Sequence, residues 1–119
     1  IKKRHPYEPR NVMTALLAAN IGIKLCVVVD EDIDVHDMQQ VEWAINTRMQ
    51  ADRDVMILPV MYSPTLDPSA PSPRASSKMG IDATAPLEDK EAFAPVFTPG
   101  QDAPYIEEML RDFMDKRRK

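Results

Sequence analysis

Apolar and polar residues change rhythm several times along the chain, and each change predicts an element. Met13, Leu16, Leu17 and Asn20 recur at helical spacing, Ala15, Ala18 and Ala19 are strong helix formers, and Gly22 offers a left-handed stop, so a helix is expected from about Pro9 to Asn20. Leu25 to Val29 (LCVVV) is continuously apolar and β-branched, as in a strand covered on both faces. A burst of carboxylates follows at Asp30, Glu31, Asp32, Asp34 and Asp37. Asp37 and Gln40 have capping-box spacing, and Met38, Val41, Ala44, Ile45, Arg48 and Met49 then fall on one helical face. Val55 to Leu58 is a second apolar run. Strand, helix and strand in so short a span predict a βαβ unit with a right-handed crossover. The fold class is therefore α/β, a small parallel or mixed sheet built on that unit with flanking helices.

Beyond this unit the pattern fades. Residues 59–104 carry nine of the eleven prolines, and the pattern predicts a long loop without regular structure, either wrapped over a partner or lining a site. Residues 105–118 then predict an amphipathic helix with Ile106, Met109, Leu110, Phe113 and Met114 on one stripe, acids in its first turn and bases at its end. That stripe is expected to dock on another subunit, on a larger body of the same protein, or back on its own sheet. Residues 1–119 read as one domain.

Charge and cysteine usage narrow the function classes. Fifteen basic against nineteen acidic side chains give a net charge of -4, without the basic field that nucleic acid or an anionic membrane requires. The single cysteine, Cys26, can form no internal disulfide, which suits a reducing compartment, the cytoplasm by default; within an apolar run it reads as a packed small hydrophobe. No apolar run approaches the roughly 20 residues needed to span a bilayer. The chain starts at Ile1, so a piece of a longer polypeptide is expected, a small separate subunit being the alternative.

The acidic turn is the main candidate for chemistry. If it stays extended, Asp30, Asp32 and Asp34 share one side and could hold a hard divalent cation. An EF-hand fails, because Val35 and Val41 stand where its Gly and Glu belong. An apolar strand ending in D-x-D also suits a metal-dependent phosphotransfer site, with Asp30 or Asp32 as nucleophile and metal ligand. The structural reading is a solvated turn whose charges are eased by the next helix N-terminus and a nearby Arg or Lys. His5 and His36 read as exposed, and Trp43 as a cover for a neighbouring element. The sequence has no Gly-rich phosphate loop, no G-x-S-x-G and no zinc-spaced Cys/His cluster.

Longer blocks carry a family likeness. VVVDEDIDVHDMQQVEWAINTR, RDVMILP, LDPSAP and SSKMGIDAT, in that order, resemble the carboxy-terminal domain of the UbiD family of decarboxylases, and HPYEPRNVMTALLAAN is similar to the segment leading into it. The resemblance runs from Pro6 to Leu87. It implies an intact enzyme that reversibly decarboxylates an aromatic or α,β-unsaturated carboxylic acid with prenylated FMN, a divalent metal and potassium. By the same resemblance the cofactor, the metals and the catalytic Glu-Arg-Glu network belong to a flavin-binding domain outside this chain. Glu8 and Arg10 do not match that network. No catalytic, cofactor-binding or metal residue is then expected here, and the chain alone is expected to be inactive. The implied role is to close over the flavin-binding domain, to line the substrate side with Pro64, Thr65 and Leu66 or with Met13 and Leu17, and to join subunits of a homo-oligomer.

Overall fold

The computed structural model describes residues 1–95 and, beyond them, Arg111 alone. The predicted helical stripe of Ile106, Met109, Leu110, Phe113 and Met114 lies outside the described residues.

Helix α1 spans Glu8–Ala19, entered through Pro9, whose fixed φ and missing N–H suit a first turn. Strand β1 is Leu25–Val29, as the apolar run predicted. Helix α2 spans Met38–Arg48, capped by Asp37, which accepts the Gln39 N–H at 2.9 Å. Gln40 does not close the expected box. Its Nε2 donates to Asp37 Oδ2, while its Oε1 accepts the Asp34 N–H at 3.0 Å and so fastens the acidic turn. A single turn, α3 (Ala51–Asp54), leads into β2, which runs Val55–Tyr62, four residues longer than expected.

The Pro-rich stretch does hold a regular element, contrary to the expectation. Strand β3, Ala75–Ala83, lies in it and forms the centre of a mixed sheet of order β1-β3-β2. It pairs parallel with β1 and antiparallel with β2. The expected βαβ unit is corrected accordingly: β1 and β2 are not neighbours and run in opposite senses, and the parallel partner of β1 arrives only after β2. Two residues of β2, Pro59 and Val60, stand opposite one residue of β3 where the register shifts between Leu58 and Met61, a bulge that Pro59, with no N–H for the ladder, suits.

Each sheet face carries a helix. On one side Met13 and Leu17 of α1 pack against Cys26 and Val28. On the other, Val41 and Ala44 of α2 close over Val29, Ile81 and Ala83, with Ile33 of the turn completing the cluster. The first side explains why β3 escapes an apolar-pattern search. Its residues facing α1 are Ser76, Lys78 and Gly80, all buried. A Cβ at Gly80 would sit 2.7 Å from Met13 Sδ, so only glycine lets α1 come so close. Lys78 reaches under the end of α1 and donates to the carbonyls of Leu17 and Asn20, each at 2.7 Å, which satisfies groups that the last turn leaves open. Leu16, expected on the buried stripe, is exposed, as is Met38 on α2.

Candidate functional site

Leu25 stands opposite Met79 and Val29 opposite Ala83, so β1 and β3 finish together. The acidic turn and Thr84 lie at that end of the sheet. The loop between β2 and β3 lies at the other, so the two sets of candidate residues occupy opposite ends of the domain.

At the acidic end the carboxylates are drawn to Arg48, whose side chain is 1% exposed. Its Nη1 donates to Asp30 Oδ2 at 3.1 Å and to Asp32 Oδ1 at 3.0 Å, and its Nη2 donates to Asp32 Oδ2 at 2.6 Å, a two-pronged grip on Asp32. Nε and Nη2 also donate to the Phe93 carbonyl, and the guanidinium lies 5.1 Å from the Trp43 ring centroid. Buried Asp30 accepts the Ala85 N–H at 2.6 Å as well. Its Oδ1 has no hydrogen-bond partner among the described residues, the Lys90 ammonium being 3.8 Å away. The Arg48 hydrogen bonds hold the Asp32 carboxyl below its ordinary value, and Asp32 in turn raises Arg48.

Asp34 does not join this cluster. It turns back to accept the His36 N–H at 2.9 Å. Asp30, Asp32 and Asp34 thus do not present one face to a cation, and among the described residues no group of three His, Cys, Asp or Glu could hold a metal. For phosphotransfer a nucleophilic carboxylate must be reachable. Asp30 is 5% exposed and already takes an arginine and a backbone N–H. The arrangement is a clasp: α2, the turn after β1 and the segment after β3 meet on one guanidinium.

At the far end Asp67 anchors the loop. It accepts from Lys24 Nζ at 2.8 Å, from the Ser69 N–H and Oγ, and from Ser76 Oγ. These donors, Lys24 foremost, hold its carboxyl far below the usual range. Pro64 and Leu66 line a cavity of about 240 Å³ beside this anchor, and Thr65 a neighbouring hollow of about 290 Å³. Leu66 is 89% exposed, an apolar side chain with nothing over it among the described residues.

Met13 and Leu17 are fully buried against β1 and β3. Met13 forms part of the wall of a larger cavity of about 410 Å³ at the acidic end, whereas Leu17 is enclosed. These two are therefore chiefly core residues, and they do not share a pocket with Pro64, Thr65 and Leu66. Cys26 is buried in strand β1, and burial raises its thiol.

Sequence reasoning did not single out Lys78 or Ser63, both buried at the loop end, nor Lys3, whose ammonium donates to Thr84 Oγ1 and the Ala85 carbonyl. Arg48 was findable. A lone cation on the apolar face of α2 implies a buried carboxylate partner, and the acidic turn is the nearest supply.

The architecture defines a small α/β domain, a three-stranded mixed sheet with flanking helices. The family pattern of the 3-octaprenyl-4-hydroxybenzoate carboxy-lyase C-terminal domain matches residues 1–83, and the chain belongs to this UbiD family. It is 46% identical over 93 residues to the anhydromevalonate phosphate decarboxylase of Methanothermobacter thermautotrophicus, covering 78% of this chain and 22% of that protein. It is 42% identical over 80 residues to the gallate decarboxylase of Lactiplantibacillus plantarum, covering 60% of this chain and 16% of that one. Among solved structures, the UbiD-class enzyme HmfF from Pelotomaculum thermopropionicum in complex with FMN superposes with a TM-score of 0.77 at 43% identity, over 86% of this chain and 23% of that one. The chain thus spans about a fifth of the length of the curated relatives it matches. Among the described residues no helix is long and apolar enough to cross a membrane.

Proposed function

We propose that this chain is the carboxy-terminal domain of a reversible UbiD-like decarboxylase acting on an aromatic or α,β-unsaturated carboxylic acid. The match of residues 1–83 to the carboxy-terminal domain of this family carries the reading. The names of its relatives and structural neighbours support the substrate class: gallate, vanillic acid, 3,4-dihydroxybenzoic acid and anhydromevalonate phosphate. Two structures of HmfF, one with FMN and one with prFMN, support prenylated FMN as the cofactor.

The residues described here do not fit the flavin themselves. Their two glycines lie apart, Gly22 in the turn after α1 and Gly80 beneath Met13, so they form no phosphate cradle. No metal-holding group accompanies them among the described residues. The cofactor, with a divalent metal and potassium, belongs in this reading to a flavin-binding domain, where it supplies the electron sink for decarboxylation. This domain braces and closes that site, presents Pro64, Thr65 and Leu66 on its substrate side, and joins subunits of a homo-oligomer in the cytoplasm.

A bare apolar row supports the docking role. Leu25, Met79 and Ile57 are cross-strand neighbours on the sheet face that α2 only half covers, and they are 52%, 37% and 67% exposed. Such a row calls for a partner surface. The stripe of Ile106, Met109, Leu110, Phe113 and Met114 adds a second docking element in this reading. The test is carbon dioxide release by the polypeptide as its source makes it, loaded with prenylated FMN and offered gallate, other aromatic acids and α,β-unsaturated acids. Release from at least one acid, and none from its saturated or ring-reduced analogue, is expected. Silence across the panel with the flavin bound would overturn the reading.

A further inference from the structure

The segment that follows β3 is fastened to the domain by polar contacts rather than by apolar burial. It leaves the sheet at Thr84 and Ala85, both buried. Lys3 donates to the Thr84 hydroxyl and the Ala85 carbonyl, and the Ala85 N–H donates to Asp30 at 2.6 Å, so this end is fixed. Beyond Pro86 the chain makes two single turns of 3-10 helix, Leu87–Asp89 and Glu91–Phe93, and neither contains a buried residue. A segment without buried apolar side chains opens at little cost, so its fastenings decide whether it stays down. Among the described residues there are two. The Phe93 carbonyl accepts from Arg48 Nε at 3.3 Å and Nη2 at 3.0 Å, and Lys90 Nζ stands 3.8 Å from Asp30 Oδ1. The second contact is one short step from completion. Asp30 Oδ1 is buried without a hydrogen-bond partner among the described residues, and a shift of about 1 Å would bring the Lys90 ammonium to hydrogen-bond distance. Lys90 is also the only base between Pro86 and Phe93; its neighbours Glu88, Asp89 and Glu91 are exposed acids that gain nothing from the acidic turn.

The same segment walls the larger cavity at the acidic end. Pro86, Leu87 and Glu88 line one side of its 410 Å³, opposite Tyr7 and Arg10 at the start of α1. We propose that residues 86–93 are a lid on this cavity, hinged at Ala85 and Pro86 and latched by Lys90 on Asp30 and by Arg48 on the Phe93 carbonyl. Closed, Lys90 completes the Asp30 carboxylate and keeps Leu87 and Glu88 in the cavity wall. Released, the lid swings from its fixed end and opens that wall, while the apolar clusters under α1 and α2 stay packed. The Lys90 and Asp32 side chains are 43% and 45% exposed, so dissolved salt reaches the latch and screens it. The lid is therefore a device that loosens as ionic strength rises. It rests on the geometry of the acidic end and does not depend on the decarboxylase reading.

The test is hydrogen–deuterium exchange, read by mass spectrometry on the polypeptide as its source makes it, at low salt and in about 1 M sodium chloride. Lys90→Gln is expected to speed exchange across residues 87–93 about two- to fivefold, the worth of a half-exposed ion pair, and to leave the amides of β1 and β3 unchanged. Salt should do the same to the parent protein and add little to the Lys90→Gln protein, whose latch is already gone. Lys90→Arg, which keeps the charge, should retain the parent's protection. Lid amides that respond neither to Lys90→Gln nor to salt overturn the proposal. So does a Lys90→Gln protein in which β1 and β3 exchange faster by the same factor, because the lysine would then support the whole fold and not a lid. Exchange is read without flavin or turnover, so failure here is distinct from a failure to release carbon dioxide.

Discussion

Arg48 decides what the acidic turn is. Three carboxylates near the end of a strand would be a plausible cation site if their oxygens were available, but Arg48 takes both oxygens of Asp32 and one of Asp30. Removing one partner of a buried pair leaves the other uncompensated. Arg48→Met is therefore expected to cost about 3–5 kcal/mol, read from the urea midpoint, and to release the Phe93 segment. Asp32 gives the pH dependence. Its carboxyl is held below the ordinary value of about 3.9, so its contribution is fully present above that pH and is lost as pH falls through the folded value. Asp67 is shifted in the same direction, by Lys24 foremost. Stability should decline below about pH 4, and Asp32→Asn should flatten that decline while lowering stability at neutral pH; an unchanged acid limb would contradict the assignment. Gly80 is the other decisive residue. Gly80→Ala is expected to cost about 1–3 kcal/mol through overpacking against Met13 Sδ and Cβ, measurable in the same titration.

At the scale of elements, α1, β1 and α2 were legible because each buries a run or stripe of apolar side chains against a sheet face. β3 was not, for a physical reason. It is central, yet its α1-facing residues are a serine, a lysine and a glycine, chosen by the close approach of Met13 and by the carbonyls at the end of α1. Prolines on either side of it then read as loop. The acidic turn was legible as a place but not as a role, since only the tertiary position of Arg48 shows what its charges meet. The cavity at the loop end was half legible: Pro64 and Leu66 line it, whereas Ser63 and Lys78 carry no motif. Because β3 is paired on both sides, its amides should exchange with deuterium more slowly than those of β1 or β2, and faster exchange in β3 would refute the strand order. Lys78→Met should expose the last turn of α1 selectively in the same experiment.

For the molecule as a whole, the sheet face beyond α2 matters most. Leu25, Met79 and Ile57 form an exposed row, and the described residues place nothing over it. Ile57→Lys should leave the fold intact, because the side chain is 67% exposed, but weaken assembly of the whole polypeptide or the docking of its domains, visible by light scattering or as a loss of flavin retention. An unaltered assembly and flavin content would mean that this face is not a contact. In the proposed reading the chain braces chemistry supplied elsewhere, and that reading has a direct test. The isolated 119-residue chain, supplied with saturating prenylated FMN and an acid that the whole polypeptide turns over, is expected to release no carbon dioxide above the rate without protein; steady release from that chain alone would contradict the account.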